Sequence, residues 1–529
     1  MGQRRIHNPL GRLVTSAARP RRPLAGRALF NGLVAVGLPF AGCAAMDDPQ
    51  GQGVRQLKQR PTAGDGTVFE GYRDAAALSL ESEAGFARVW YTETLPHRPD
   101  PTDVAPADGI PDMVQLVADT ADAVALELQA GGWRLPVPDT SIAGQADDGG
   151  SPAFDIYLVD FQRADGLFFV EGCLNTIPAQ CTGYIAIKND FRSSGYSSVA
   201  EGVNVLVSHE YFHAVQAAYT DQLPIWFSEG TATWHEEYFE PSQDDFERLA
   251  SIWFEQGDRS INGTPNGPSD LSAYSTAIFF HYLQVTTGSS DPIRESLELM
   301  ADTDAAAEQA LLQTIGGIDE FAALQAGFAA WNLCTGDRTI EGFGYEAAQR
   351  FEEIDLVALD GSIDTNWDTE VRAWAQASAE LDRSTRDLRL EVRTLDGWPD
   401  PPSLVVVDPS EGGAWSVIAP GESAVFLASD SPLLLAFINP DPDARTAGRL
   451  AIRSTDATSP VVPDPDPSEG SDCAPGGECG ADGSAQDGGD PTGTDDGGCT
   501  ASEAGARPAV QWLGWISLMV LLPRRRALV

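Results

Sequence analysis

Two histidines, His209 and His213, stand four residues apart in Val205-Leu-Val-Ser-His-Glu-Tyr-Phe-His-Ala-Val-Gln216, with Glu210 directly after the first. On an α-helix, positions i and i+4 lie one above the other on one face, so the two imidazoles can share one metal ion. Zinc suits them: it takes nitrogen ligands in a tetrahedral set, and a catalytic zinc keeps three protein ligands and leaves the fourth place to water. Glu210, beside the ligands but not one of them, is then the base for that water. The plain alternative is two helix histidines spaced this way by chance. With only 6 histidines in 529 residues the coincidence is rare, and a second stretch makes it rarer.

That stretch is Pro224-Ile-Trp-Phe-Ser-Glu-Gly-Thr-Ala-Thr-Trp-His-Glu-Glu237. Pro224 fits a helix start, where its missing N–H costs nothing, and Ile225, Phe227 and Ala232 supply a buried side. The pair of stretches, His-Glu-x-x-His followed by Trp-x-x-Glu-Gly-x-Ala, resembles the gluzincin metalloproteases, which include thermolysin and the aminopeptidase N family. The resemblance implies that Glu229, early in the second helix, is the third zinc ligand. The 15 residues between His213 and Glu229 make a connection shorter than in the best-known members. A metzincin would need a glycine and a third histidine where Gln216 and Tyr219 stand.

In aminopeptidase-like members a tyrosine of a later helix donates to the oxyanion. Ser272-Ala-Tyr-Ser-Thr-Ala-Ile-Phe-Phe-His-Tyr-Leu283 resembles that helix and places the role on Tyr274, although Ser275 and Thr276 depart from the family's charged pair. An ordinary core-edge tyrosine is the alternative. His235 and His281 are the other candidate donors, each more readily explained as a packed histidine. Where thermolysin-like enzymes carry an aspartate that orients a zinc histidine, this chain has Thr233.

These residues need elements to hold them, and 529 residues suffice for two or three cores. A formal charge of −44 argues against nucleic acid as a partner and suits an exported protein kept soluble by its own charge. Residues 1–43 read as a signal peptide: seven arginines, an apolar run from Ala28 to Phe40, then small residues. Phe40-Ala-Gly-Cys43 resembles a bacterial lipobox in which Cys43 is lipidated; cleavage after Ala44 or Ala45 is the competing reading. A polar linker occupies 44–66. Asp100 to Asp112 gathers acidic residues around a glycine and is a candidate calcium loop, or else an acidic helix start.

Phe154–Asp160 and Gly183–Lys188 alternate as strands. Cys173 and Cys181 close a short loop between them, which in an exported protein predicts a disulfide. The gluzincin resemblance implies a sheet edge along which a peptide lies as an added strand, assigned here to Tyr184–Lys188. Apolar residues at spacings of three and four predict helices over Leu271–Val285, Pro292–Met300, Ala305–Ile315 and Phe321–Trp331. Cys334 reads as a buried thiol. From Asp387 the period changes to two, giving six short strands and a small β-sandwich.

Residues 457–500 are Pro, Asp, Gly and Ser and cannot bury a core. The tail at 501–529, with Cys499 before it, a short apolar run and three arginines, resembles the C-terminal sorting tails of myxobacteria. The whole layout is similar to a poorly characterised set of metalloproteases from those bacteria. The resemblance therefore implies an α+β protein: a zincin-like domain at 67–385, strand-rich then helical, followed by a β-sandwich at 386–456. It implies an exported zinc peptidase acting on peptide or protein substrates, released or held at the cell surface through its N-terminal lipid or C-terminal tail. The competing reading is a catalytically idle zincin-fold adhesion protein.

Overall fold

The computed structural model describes residues 60–455, apart from 63–68, 70–71, 73–75, 143–148, 162–164, 192–195, 242–244, 267–269 and 399. The signal segment, Cys43, the stalk and the C-terminal tail lie outside the described residues. Among those described, no helix is long and apolar enough to cross a membrane.

The chain is mixed α and β. Its first sheet contains β1 (Ala77–Glu81), β2 (Ala87–Thr92), β3 (Phe154–Val159), β4 (Gly166–Cys173) and β5 (Cys181–Lys188), in the order β1-β2-β3-β5-β4. The inner strands β2, β3 and β5 run parallel, and β1 and β4 pair antiparallel at the two edges. Side chains alternate across it. Ile156, Leu158, Ile185 and Ile187 face the main core beneath α1 (Asp112–Ala130) and α2 (Val199–Ala217). Tyr157, Val159, Tyr184 and Ala186 face a smaller core that Phe69 and Tyr72 complete. Both faces are covered, which is why β3 is buried at every position.

Two expectations change here. Tyr184–Lys188 is not the sheet edge: β5 lies between β3 and β4, and the edge is β4. Both arms of the β4–β5 hairpin carry apolar residues, so sequence pattern does not say which arm lies outside. Arg60, placed by composition in the linker, is buried against Asp139, Asp155 and Glu171, with Nε donating to Glu171 Oε1 at 2.6 Å. Cys173 and Cys181 face each other at the end of the hairpin and are joined as a disulfide.

After α2 come α3 (Ile225–Phe239), α4 (Asp245–Glu255), α5 (Ser272–Ser275), α6 (Ala277–Thr287), α7 (Asp291–Thr303), α8 (Ala307–Ile315) and α9 (Ile318–Asn332). The stretch expected as one helix over Leu271–Val285 breaks at Thr276 into α5 and α6.

The remaining strands form two facing sheets, β11-β10-β13-β8-β6 and β12-β9-β14-β7. Their members are β6 (Val357–Asp360), β7 (Thr365–Val371), β8 (Gln376–Arg383), β9 (Leu388–Thr394), β10 (Ser403–Asp408), β11 (Ala414–Ile418), β12 (Ser423–Phe426), β13 (Ser429–Ile438) and β14 (Thr446–Ser454). The sheets thus begin at Val357, ahead of residue 386. The first three strands escape the sequence pattern because β6 buries nothing fully, β7 buries only Trp367 and Val371, and the buried apolar residues of β8 are only Ala379 and Leu381. Leu433, Leu435 and Phe437 of β13 point into the sandwich, while Leu434, Ala436 and Ile438 pack on Ala326, Ala329, Ala330 and Leu333 around α9. The uninterrupted apolar run of β13 is the signature of a strand buried on both sides. The sandwich is docked on the helical half.

Candidate metal centre

The helix carrying His209 and His213 is anchored at its start. Ser198 caps α2, its Oγ accepting the Glu201 N–H at 3.0 Å, and the Glu201 carboxylate reaches back to the Ser197 N–H. Nearly every side chain of α2 beyond its first turn is buried, as expected of a helix apolar on all sides, packed between the sheet, α1 and α3. Polar groups at such depth need partners. The partners of the two imidazoles define the site.

His209 Nδ1–H donates to Glu236 Oε1 at 2.6 Å. His213 Nδ1 lies 2.9 Å from Gln216 Oε1. The Gln216 amide donates both hydrogens elsewhere, to the Ser228 carbonyl and to Thr231 Oγ1, each at 2.8 Å. Thr231 Oγ1 itself donates to the Phe227 carbonyl at 2.7 Å. The Gln216 oxygen therefore faces the ring and accepts, and the His213 proton is on Nδ1. Each histidine thus presents an Nε2 lone pair on its other side.

Those lone pairs converge. The two Nε2 atoms are 3.1 Å apart, and Glu229 Oε2 lies 3.4 Å from one and 3.5 Å from the other. The three residues form a buried group able to hold a metal ion, and it is the one such group among the described residues. Ligands about 2.05 Å from a tetrahedral zinc are separated by about 3.3 Å, so these spacings fit the edges of one coordination tetrahedron. Glu229 Oε2 is buried with no hydrogen-bond donor, leaving three acceptors around one point that calls for a cation.

The site favours positive charge: burial disfavours a charged ring, but the Glu229 and Glu236 carboxylates override it and hold the pKa of His209 well above its ordinary value, so a metal ion at Nε2 takes the place of a proton that it displaces. Burial would raise the pKa of Glu229, but the two imidazoles outweigh it and bring it down to about 2. Glu229 stays ionised.

Glu210 is on the same turn, fully buried. It lies against the first residue of the edge strand: a Cβ added at Gly166 would stand 2.8 Å from Glu210 Oε1 and 2.9 Å from its Cγ. Gly230 plays a similar part behind Glu229, where a Cβ would meet Phe280 at 2.9 Å and Thr276 at 3.2 Å, so α3 approaches α6 closely. Tyr274 on α5 lies nearly parallel to the His209 ring, with centroids 5.9 Å apart. His213 and Tyr274 each keep 6% exposure while His209 and Glu210 have none, so the centre meets solvent on their side.

His209, Glu210, His213, Glu229 and Tyr274 are thus brought together, and the two other candidate histidines, His235 and His281, are not. His235 is stacked on Phe212 at 4.7 Å with Nδ1 toward the Ser208 carbonyl, and burial lowers its pKa to about 3. His281 of α6 packs against Phe246 of α4, and burial lowers its pKa to about 4. Burial also pushes the Cys334 thiol up to about 12, which keeps it protonated. In the candidate calcium loop, Asp103 accepts the Asp108 and Gly109 N–H groups, and Asp112 accepts those of Val104 and Ala105. Its acidic side chains close turns and form no metal-ligating group.

Sequence reasoning overlooked Glu236, Gln216 and Gly166. Glu236 does what an aspartate at the position of Thr233 does in thermolysin-like enzymes, and its spacing was a usable signal: seven residues after Glu229 is two helical turns, so both carboxylates lie on one side of α3 and hold the His209 ring between them. Gln216, one turn after His213, carried the same kind of signal.

No protein-family model matches the sequence, and no curated protein matches it. A de novo designed double-stranded β-helix, solved by solution NMR, aligns with 17% of this chain and 99% of its own at 14% identity, with a TM-score of 0.13. A likeness of that size carries no argument about fold or function.

Proposed function

We propose that the protein is an exported zinc-dependent peptidase, with a zincin-like arrangement of a sheet, an active-site helix beneath it and a second ligand-bearing helix. One observation carries the reading: two Nε2 atoms and a carboxylate oxygen face one point, with a further glutamate on the same turn lying against the first residue of the last strand of the sheet. Zinc bound there supplies a water of lowered pKa, about 7, and polarises the scissile carbonyl. His209 and His213 are held ready by Glu236 and Gln216, which fix their tautomers and orientation. Glu210 takes the proton of the attacking water and passes it to the leaving amine. Tyr274, against the His209 ring, donates to the developing oxyanion, a contribution of about 3 kcal/mol where such donors have been removed.

The substrate is an extended peptide. Among the described residues no strand pairs with the outer side of β4, and a peptide adds there as another strand. Gly166 at its start brings that strand close to Glu210.

Glu210→Gln tests the reading. Cleavage of casein or a mixed peptide library should disappear while zinc content stays at the wild-type level. A wild-type protein that binds zinc yet cleaves nothing in such a library would instead favour an idle adhesion protein of the same fold.

A further inference from the structure

The C-terminal sandwich reaches into the helical half at one deeply buried side chain, and it arrives behind the helix that carries Glu229. Trp374, between β7 and β8, is fully buried and has φ +47°. A bulky residue rarely occupies that region, and it persists only where its surroundings dictate the backbone. Here the surroundings do so. The Trp374 N–H donates to the Asp441 carbonyl at 3.2 Å, and its own carbonyl accepts the Ile261 N–H at 3.0 Å. The indole N–H donates to the Pro440 carbonyl at 2.8 Å. The ring then leaves the sandwich, stacking on Phe321 of α9 at 4.5 Å and meeting Trp226 of α3 edge-on at 5.8 Å.

Trp226 stands in the first turn of α3, three residues before Glu229. The N–H groups of a first turn have no partners within the helix, so side-chain packing decides where that turn sits. Trp226 is clasped on one side by Trp374 and on another by Phe280, parallel at 6.0 Å, and its indole donates to Glu308 at 3.1 Å. We propose that Trp374 is a positioning residue for the metal centre: by wedging against Trp226 it sets the first turn of α3, and with it the reach of the Glu229 carboxylate toward the two imidazoles. The sandwich is then part of the scaffold of the site and not a separable module. The inference deepens the metal-site reading and rests on it for the metal readout alone.

The test uses the full chain and Zn2+ itself. Trp374→Gly removes the ring while giving the backbone a residue at ease with positive φ, so the change reports the ring. Leu434→Ala loosens the sandwich against α9 without touching α3 and serves as the control. In competition with a chromogenic chelator, Trp374→Gly should weaken zinc binding about tenfold or more, as loss of supporting residues does at other zinc sites. Trp374→Phe and Leu434→Ala should stay near wild type. Wild-type affinity in a folded Trp374→Gly protein overturns the proposal, and so does an equal loss in Leu434→Ala, because general loosening would then suffice. Should Trp374→Gly not fold, Trp374→Leu, which keeps apolar volume, takes its place with the same expectations. A second readout is the imidazole Nδ1–H resonance of His209 in metal-free protein, which should move in the Trp374 variant and not in the control. If wild type binds no zinc, the peptidase reading fails, and this resonance still decides the positioning claim.

Discussion

Gly166→Ala separates the proposed base from the proposed ligands. The backbone of Gly166 is outside the left-handed region, so alanine fits it without strain. The added methyl would stand 2.9 Å from Glu210 Cγ and 2.8 Å from Oε1. Comfortable contact needs about 3.5 Å, so Glu210 or the strand must yield by about 0.6 Å. Glu210 is fully buried with little room to turn, and Cγ is not the loose end of the side chain. A misplacement of about 1 Å at a reacting group costs about a hundredfold, so about 0.6 Å should lower kcat by roughly tenfold or more, near 1.4 kcal/mol. Overpacking adds about 1 to 3 kcal/mol of destabilisation. None of the atoms met by the methyl belongs to a ligand, so zinc affinity should hold. The assay is steady-state cleavage of a fluorogenic peptide beside zinc titration. Wild-type kcat in the alanine variant would show that Glu210 does no work at this edge; lost zinc binding would show that the strand supports the metal instead.

Other expectations concern the surroundings of the site. Glu236→Ala should weaken zinc binding by about ten- to a hundredfold, and Glu236→Gln, which still accepts from His209, by less; calorimetry with Zn2+ would expose the idea as wrong if both match wild type. Removing zinc with a chelator should lower Tm, and added zinc at a hundred times its Kd should restore about 2.7 kcal/mol of stability; a melting temperature indifferent to both would mean that nothing binds the native site. Burial, with Glu247 nearby, raises the Glu237 carboxyl from its ordinary range to about 8. The folded state then binds more protons than the unfolded chain between about pH 4.5 and 8, so this group's contribution to stability falls as pH rises through that window. Glu237→Gln should therefore raise Tm at pH 8 more than at pH 5, and an equal change at both would refute the assignment.

Local periodicity made the histidine pair, the adjacent Glu210 and the helices after residue 271 legible in the chain. A helix of fixed pitch turns a spacing of four into a shared face, and no knowledge of the rest of the fold is needed for that. The disulfide was legible for a related reason, since two cysteines close in sequence at the ends of strand-like segments have little choice of partner. Glu229 became a ligand candidate through a family resemblance, and the bonds that hold both imidazoles were not sought at the right spacing.

Contacts between distant segments were decided by tertiary structure. Which arm of the β4–β5 hairpin lies outside depends on the pairing of β3 with β5, a contact across some thirty residues that leaves no trace in alternation. The approach of Gly166 to Glu210 follows from that order, and a glycine at the start of a strand has many other reasons to exist. The early strands of the sandwich were hidden because they bury few large side chains, and Trp374 because an isolated tryptophan says nothing of the helix it will meet. Spacing along one element is written in the residues themselves. Which elements lie side by side emerges only when all of them compete to bury their apolar faces at once.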